Sequence, residues 1–370
     1  MKKIYNLYLP ICVAGLFFTL LITSCSKDHS NPPPTPAAKP LATLGLYEVD
    51  QVDTFTYKRI FIPVSGMGTA AISTYYLVFD TGSSGLTIDA NGILPASMIT
   101  SSGITVAGDS VVVNGITVTN QTSIVSFGNA TSETSEYGNL AYATVKIGDS
   151  NGSITTGRIP IFLYYKILDN NGAQQAKHSQ DVFGVGPGTS FASSAISSPL
   201  SYFKTTNGLL NGFKLSTLVN AQFTTGGSYV QNLLQIGVLP SDVNPSNGFI
   251  MHQLSFFQQG GYSPDIPSTI TYSGKTVAAT LLFDTGTPAI SILENPGAPS
   301  NIATLPAGTN VTLTTSNGFK YSYTTSGDNV TDVAKPSYTG DPRTIFSINF
   351  FTENEFIMDY QGHEIGLKNN

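Results

Sequence analysis

Short apolar segments alternate with turn-forming residues along most of this 370-residue chain. Residues 60–64, 75–79, 116–118, 143–147, 160–164, 233–236, 270–272 and 278–283 are strand-length and rich in Val, Ile, Tyr and Phe. Clusters of Gly, Pro, Asn, Asp and Ser separate them. Segments of this kind predict strands joined by hairpins. Helical periodicity is scarce, and residues 198–205 and 352–355 are the better candidates for short helical turns. The pattern therefore predicts an all-β protein. Folded patterning starts near Leu44, with the first strand expected at 57–62.

Ahead of this region the chain reads as an address. Lys2 and Lys3 precede an apolar stretch over 7–21, which ends in Ile22-Thr23-Ser24-Cys25. The stretch contains Pro10 and is short of the roughly 20 residues a spanning helix needs. It resembles the lipobox of bacterial lipoproteins. The resemblance implies a signal peptide over 1–24, acylation of Cys25, and an exported bacterial lipoprotein of the outer membrane, on either its periplasmic or its surface face. An uncleaved membrane anchor is the alternative. Residues 25–43 carry Pro32-Pro33-Pro34 and Pro36 and read as an extended tether.

Composition narrows the field further. Charged residues make up 11% of the chain and no basic run occurs, so nucleic-acid binding has no support. Removing Lys2 and Lys3 leaves 15 of the 17 basic residues against 23 acidic ones, a net charge of −8. Of the two cysteines, Cys12 leaves with the leader and Cys25 is acylated, so no disulfide is expected and the fold stands on its core. His29, His178, His252 and His363 are widely spread without a metal-ligand spacing, and each is expected at the surface or in a loop. No metal and no cofactor are expected.

The chemistry lies in a repeated tripeptide. Leu77-Val78-Phe79-Asp80-Thr81-Gly82-Ser83-Ser84 and Leu281-Leu282-Phe283-Asp284-Thr285-Gly286-Thr287 each place Asp-Thr-Gly after an apolar run and before a hydroxyl residue. One copy alone would read as a turn. Two copies 204 residues apart predict two loops that face each other and pair their carboxylates. Such a pair shares one proton and can activate water.

These motifs resemble the active-site loops of pepsin-family aspartic proteases. Other elements extend the resemblance over most of the mature chain. Val182-Phe183-Gly184 is similar to the element that packs beneath the first loop, and Leu234-Gln235-Ile236-Gly237 to the inter-lobe strand. Ile345-Phe346-Ser347, Phe356-Ile357-Met358-Asp359-Tyr360 and Ile365-Gly366-Leu367 are similar to the closing pattern, with Ser347 in place of the usual Gly. The resemblance implies a bilobal fold, with an N-terminal lobe over 44–244, a C-terminal lobe over 245–370, and the active-site cleft between them. Asp80 and Asp284 would be the catalytic pair of an aspartic endopeptidase acting on extended polypeptides. Thr81, Gly82, Ser83, Thr285, Gly286 and Thr287 would support them. The glycines are expected to permit a tight turn, and Ser83 and Thr287 to lower the pair's pKa towards an acidic optimum.

Two departures bear on the lid. The chain has no Trp, and Thr87 stands where the family has one. A flap hairpin is expected with 123–128 paired to 140–147 and Phe127-Gly128 at its tip in place of Tyr-Gly. Tyr137-Gly138 is the alternative tip. A peptide or unfolded protein is the expected partner, and a monomer the expected state. The competing reading is a catalytically inactive pepsin-fold lipoprotein that binds peptide, glycan or a partner protein.

Overall fold

Residues 38–370 are described by a computed structural model, apart from 53–55, 71, 129–132, 191–195, 207, 259 and 289. The leader, Cys25 and the proline tract lie outside the described residues. Each of the eight apolar segments named above falls within a β-strand. Alternation explains this: in the strand Ile266–Tyr272 the side chains of Ile266, Ile270 and Tyr272 are buried while Pro267, Thr269 and Thr271 face outward. Among the described residues the only α-helical turn is Pro336–Thr339. Ser198 caps the 3₁₀ turn Pro199–Tyr202 by accepting the Leu200 N–H. The turn expected at 352–355 instead occupies Ile348–Thr352, and a strand begins at Asn354.

The structured chain also starts earlier than expected. Ala42–Val52 is a strand, paired on one side with Ser228–Val238 and on the other with Thr56–Met67. It lies inside a sheet of 14 strands, and a second sheet of eight strands gathers elements between Ile266 and Phe346. The larger sheet draws from both ends of the sequence. Ile250–Gln253, Glu364–Asn369 and Asn354–Asp359 continue it past Leu210–Leu215, so the last hairpin lies beside the inter-lobe strands.

Each sheet contains the same local device. In the first, Val182–Val185 inserts between Tyr75–Asp80, to which it is parallel, and Ser84–Asp89, to which it is antiparallel. In the second, Thr344–Phe346 runs parallel to Lys275–Phe283 and antiparallel to Ser291–Glu294. A strand threaded between the two arms of an Asp-Thr-Gly loop holds both arms by backbone hydrogen bonds. Gly184 makes this possible in the first lobe, because a Cβ there would lie 2.8 Å from the Gly85 carbonyl oxygen. The counterpart Ser347 is fully buried, and its N–H donates to Ser291 Oγ at 3.3 Å. The second lobe makes room because its outer arm pairs with the threaded strand only at Ile292–Ile345.

A continuous run of aromatic rings joins the bases of the two loops. Phe79 stacks near Phe183 at 6.4 Å and meets Phe213 edge-on at 5.6 Å. The run continues through Phe356 (6.0 Å), Phe351 (5.7 Å) and Phe350 (5.3 Å) to Phe283 at 4.3 Å. Fully burying one Phe stabilises by about 3 kcal/mol. The residues immediately before both aspartates are thus set in one core.

Candidate active site

Asp80 ends the strand Tyr75–Asp80, and Asp284 directly follows Lys275–Phe283, whose terminal N–H links continue through Asp284 N to the Phe346 carbonyl at 2.9 Å. The two carboxyls come within hydrogen-bonding reach of each other. The surroundings repeat with near two-fold symmetry. Gly82 N donates to Asp80 Oδ1 at 2.8 Å and Ser83 Oγ to Asp80 Oδ2 at 2.5 Å. Across the pair, Gly286 N donates to Asp284 Oδ1 at 2.7 Å and Thr287 Oγ1 to Asp284 Oδ2 at 2.6 Å.

The threonines cross between lobes. Thr81 N donates to Thr285 Oγ1 and Thr285 N to Thr81 Oγ1, each at 3.0 Å. Thr81 Oγ1 donates to the Phe283 carbonyl at 2.8 Å, and Thr285 Oγ1 to the Phe79 carbonyl at 2.6 Å. Every bond of this set joins one lobe to the other.

Besides bringing an N–H to the aspartate of its own loop, each glycine has a second role. Neither Gly82 nor Gly286 has a positive φ. A Cβ on Gly82 would instead lie 2.6 Å from Asp284 Cγ, and one on Gly286 would lie 2.7 Å from Asp80 Cγ. Each glycine clears space for the aspartate of the opposite lobe.

Electrostatics also differ from the sequence expectation. Burial is the largest influence on Asp80, followed by the charge of Asp284 and a hydrogen bond with it, and together they raise the Asp80 pKa well above the carboxylate range. Ser83 and Gly82 pull in the opposite direction but are outweighed. One proton on this pair therefore persists towards neutral pH.

Ile116–Phe127 and Thr134–Asp149 form the hairpin expected as the flap. Its register differs from the expected one: Phe127 pairs with Thr134, Val125 with Glu136, and Ser123 with Gly138. Residues 140–147 mainly pair with Gly152–Asp169. The strands stay paired up to Phe127 and Thr134, so the connection between them is shorter than expected and the register is displaced. Phe127 stands at the end of its strand, next to Gly128 at φ +98°, and lines a cavity of about 490 Å³ with Gly82, Ser83 and Ser84. Phe257, Gly261 and Tyr262 form the facing wall. Tyr137 is opposite Ile124, so it lies on the other face of the hairpin from Phe127, and Lys166 Nζ sits 4.0 Å from its ring. Tyr137-Gly138 is not at the tip.

Two charged residues near the site escaped the sequence reading. Glu136, on the returning arm of the flap, is fully buried beside Thr87, the residue at the position of the family Trp. Thr87 favours the charged form, but neither Glu136 oxygen nor Thr87 Oγ1 has a hydrogen-bond partner among the described residues. Burial, with Asp181 and Asp89 adding to it, holds the Glu136 pKa well above the usual range. The second is Arg59, whose Nη1 donates to the Gly286 carbonyl at 2.7 Å. No spacing in the sequence points to either, since both contacts are tertiary. Two histidines also have built partners. His178 Nδ1 lies 2.7 Å from Asp181 Oδ2, and the buried His252 lies 2.8 Å from Thr315 Oγ1. Among the described residues no cluster of His, Cys, Asp and Glu could hold a metal ion.

The two lobes, each with a threaded Asp-Thr-Gly loop, define a bilobal pepsin-like fold. Solved structures bear this out. The chain is similar to the aspartic proteinase from Irpex lacteus (TM-score 0.55, 16% identity, 89% of this chain and 98% of that one). It is similar as well to Basic 7S globulin from soybean (0.54, 14%, 88% and 95%) and to conglutin gamma, a basic 7S globulin from lupine seeds (0.53, 14%, 90% and 96%). No protein-family model matches the sequence, and no curated protein matches it.

Proposed function

We propose that this chain is an aspartic endopeptidase that hydrolyses peptide bonds of extended polypeptides, with Asp80 and Asp284 as its catalytic pair. One observation carries the reading: two carboxyls from symmetric loops meet in a cleft, and each is held by a backbone N–H and a hydroxyl. A buried pair of like-charged groups is costly to keep without a use. In the proposed cycle one carboxyl is ionised and takes a proton from a water held between them. That water attacks the scissile carbonyl while the protonated carboxyl donates to its oxygen. The roles then reverse as the leaving nitrogen is protonated, with no covalent intermediate. Phe127 closes over the cleft as an apolar lid, and the substrate lies beneath it as an added strand. We further propose that the enzyme is monomeric and is tethered to the outer membrane through acylated Cys25. Among the described residues no helix is long and apolar enough to cross a membrane.

A second reading is favoured by a specific observation: two of the similar structures named above are 7S globulins rather than proteinases. In that reading the cleft binds a peptide, a glycan or a partner without cleaving it. The full-length protein, assayed in mild detergent against denatured protein across roughly pH 3 to 8, separates the two. Cleavage that a statine-type transition-state mimic blocks, and that Asp80→Asn and Asp284→Asn each abolish, supports the protease. Absence of such cleavage at every pH leaves the binding reading. Cleavage that survives both substitutions removes the pair from the mechanism.

A further inference from the structure

Around the aspartate pair, the cations differ in how their charge is used. Arg343 feels the charge of Asp284, but its guanidinium is bound by Asp341 at 2.7 Å and approached by Asp265 at 3.7 Å. Lys58 Nζ bonds to Asn220 Oδ1 at 2.6 Å and Asn349 Oδ1 at 3.3 Å. Arg59 is different. It sits on Thr56–Met67, a strand of the first lobe, and reaches into the loop of the second. Among the described residues it forms no ion pair, and the groups whose charges it feels are Asp80, Asp284 and Tyr57.

Its position is fixed by contacts rather than by field alone. Arg59 Nη1 donates to the Gly286 carbonyl at 2.7 Å, and the N–H of that same residue donates to Asp284 Oδ1 at 2.7 Å. Gly286 Cα in turn faces Asp80, since a Cβ there would touch Asp80 Cγ at 2.7 Å. One glycine therefore touches the guanidinium and both carboxyls. The side chain is only partly exposed, so its charge is less screened by water than that of a surface arginine.

We propose that Arg59 is a positioning residue of the aspartate pair, holding Gly286 by its carbonyl so that the N–H of the same residue stays on Asp284, and supplying the positive charge that favours the ionised form of one carboxyl beside the other. A nearby positive charge favours the ionised form of either carboxyl, so without it the pair would lose its first proton only at higher pH. A pair next to a full ion partner would lose its shared proton and with it the acid. A guanidinium one residue away, held on a carbonyl, eases the first loss without forcing the second. The effect on rate rests on the protease reading; the effect on titration does not.

The test follows the carboxyl titration of the pair by ¹³C NMR on full-length protein labelled at aspartate, alongside kcat/KM. Arg59→Gln keeps a donor for the Gly286 carbonyl and removes the charge. It is expected to move both apparent titrations of the pair up by about one pH unit and to shift the rate profile with them. Arg59→Lys keeps the charge and loses the fork. It is expected to titrate within about 0.3 units of the unmodified protein, with a lower kcat. A titration unchanged in Arg59→Gln overturns the proposal, as does one displaced in Arg59→Lys as far as in Arg59→Gln. If the titration shifts while the unmodified protein cleaves nothing, Arg59 keeps its role and the protease reading falls. If the protein cleaves while Arg59→Gln titrates unchanged, the proteolytic reading stands and Arg59 is only a lobe contact.

Discussion

Replacing Thr285 by Val removes one hydroxyl at nearly constant volume from the centre of the lobe junction. That hydroxyl accepts the Thr81 N–H at 3.0 Å and donates to the Phe79 carbonyl at 2.6 Å. Thr81 is 1% exposed and Phe79 is fully buried, so neither backbone group can turn to water. A buried polar group left without a partner costs about 1–3 kcal/mol, and two of them about 2–6. The extra methyl returns about 0.8 kcal/mol, leaving a net loss of roughly 1–5. Unfolding entropy is about 2.1 cal/mol/K per residue, or roughly 0.7 kcal/mol/K for a unit of about 330 residues. Thermal unfolding followed by circular dichroism should therefore show Tm lowered by about 2–7 °C. Thr81→Val removes the mirror-image bonds to the Phe283 carbonyl and the Thr285 N–H and should cost the same. Thr285→Ser, which keeps the hydroxyl, should stay close to the unmodified protein. A drop of less than about 1 °C in both Val variants would refute the claim that these bonds hold the lobes together.

Three further outcomes are expected. Because Asp80 is raised and activity requires one proton on the pair, the alkaline limb of kcat/KM should lie near neutral pH; an apparent pKa below about 5 for that limb contradicts the assignment. Glu136 is neutral when folded but ionises at its ordinary value when unfolded, so its contribution is present at acid pH and lost as pH rises through the folded value. Glu136→Gln should therefore have a Tm near that of the unmodified protein at pH 4 and a higher one at pH 8, and a difference independent of pH argues against a buried carboxyl. Gly286→Ala places a methyl 2.7 Å from Asp80 Cγ and should lower kcat/KM by more than about 100-fold while the protein stays folded by circular dichroism. Retention of activity within tenfold would show that the pair is not packed against that glycine.

What the sequence made legible was what is encoded locally. Strand alternation, the turn residues and the two Asp-Thr-Gly loops are short-range signals, and the all-β fold follows from them. The strand Ala42–Val52 was harder to see, because Gly45 and the register shift around it interrupt the alternation just after a proline tract. The hairpin of Ile116–Phe127 and Thr134–Asp149 is paired in a register displaced from the expected one, because the strands continue to Phe127 and Thr134 and Gly128 is not a turn signal that fixes where the return begins. Glu136 and Arg59 could not be read at all. A Glu in a strand and an Arg beside a Lys are ordinarily solvated, and only the packing of distant strands reveals that one is buried and the other reaches the opposite lobe.

The crossing of the two loops also bears on how this protein can change over generations. Each letter of Asp-Thr-Gly is judged by its twin 204 residues away: carboxyl by carboxyl, hydroxyl by backbone, and glycine by the aspartate it makes room for. The two tripeptides thus behave under mutation as a single six-residue unit, in which a change on one side is tested at once by the other. Apart from positions such as Gly184 and Arg59, the surrounding strands need only remain apolar on the proper face. That difference accounts for a chain in which two identical triplets stand out from halves that otherwise share little wording.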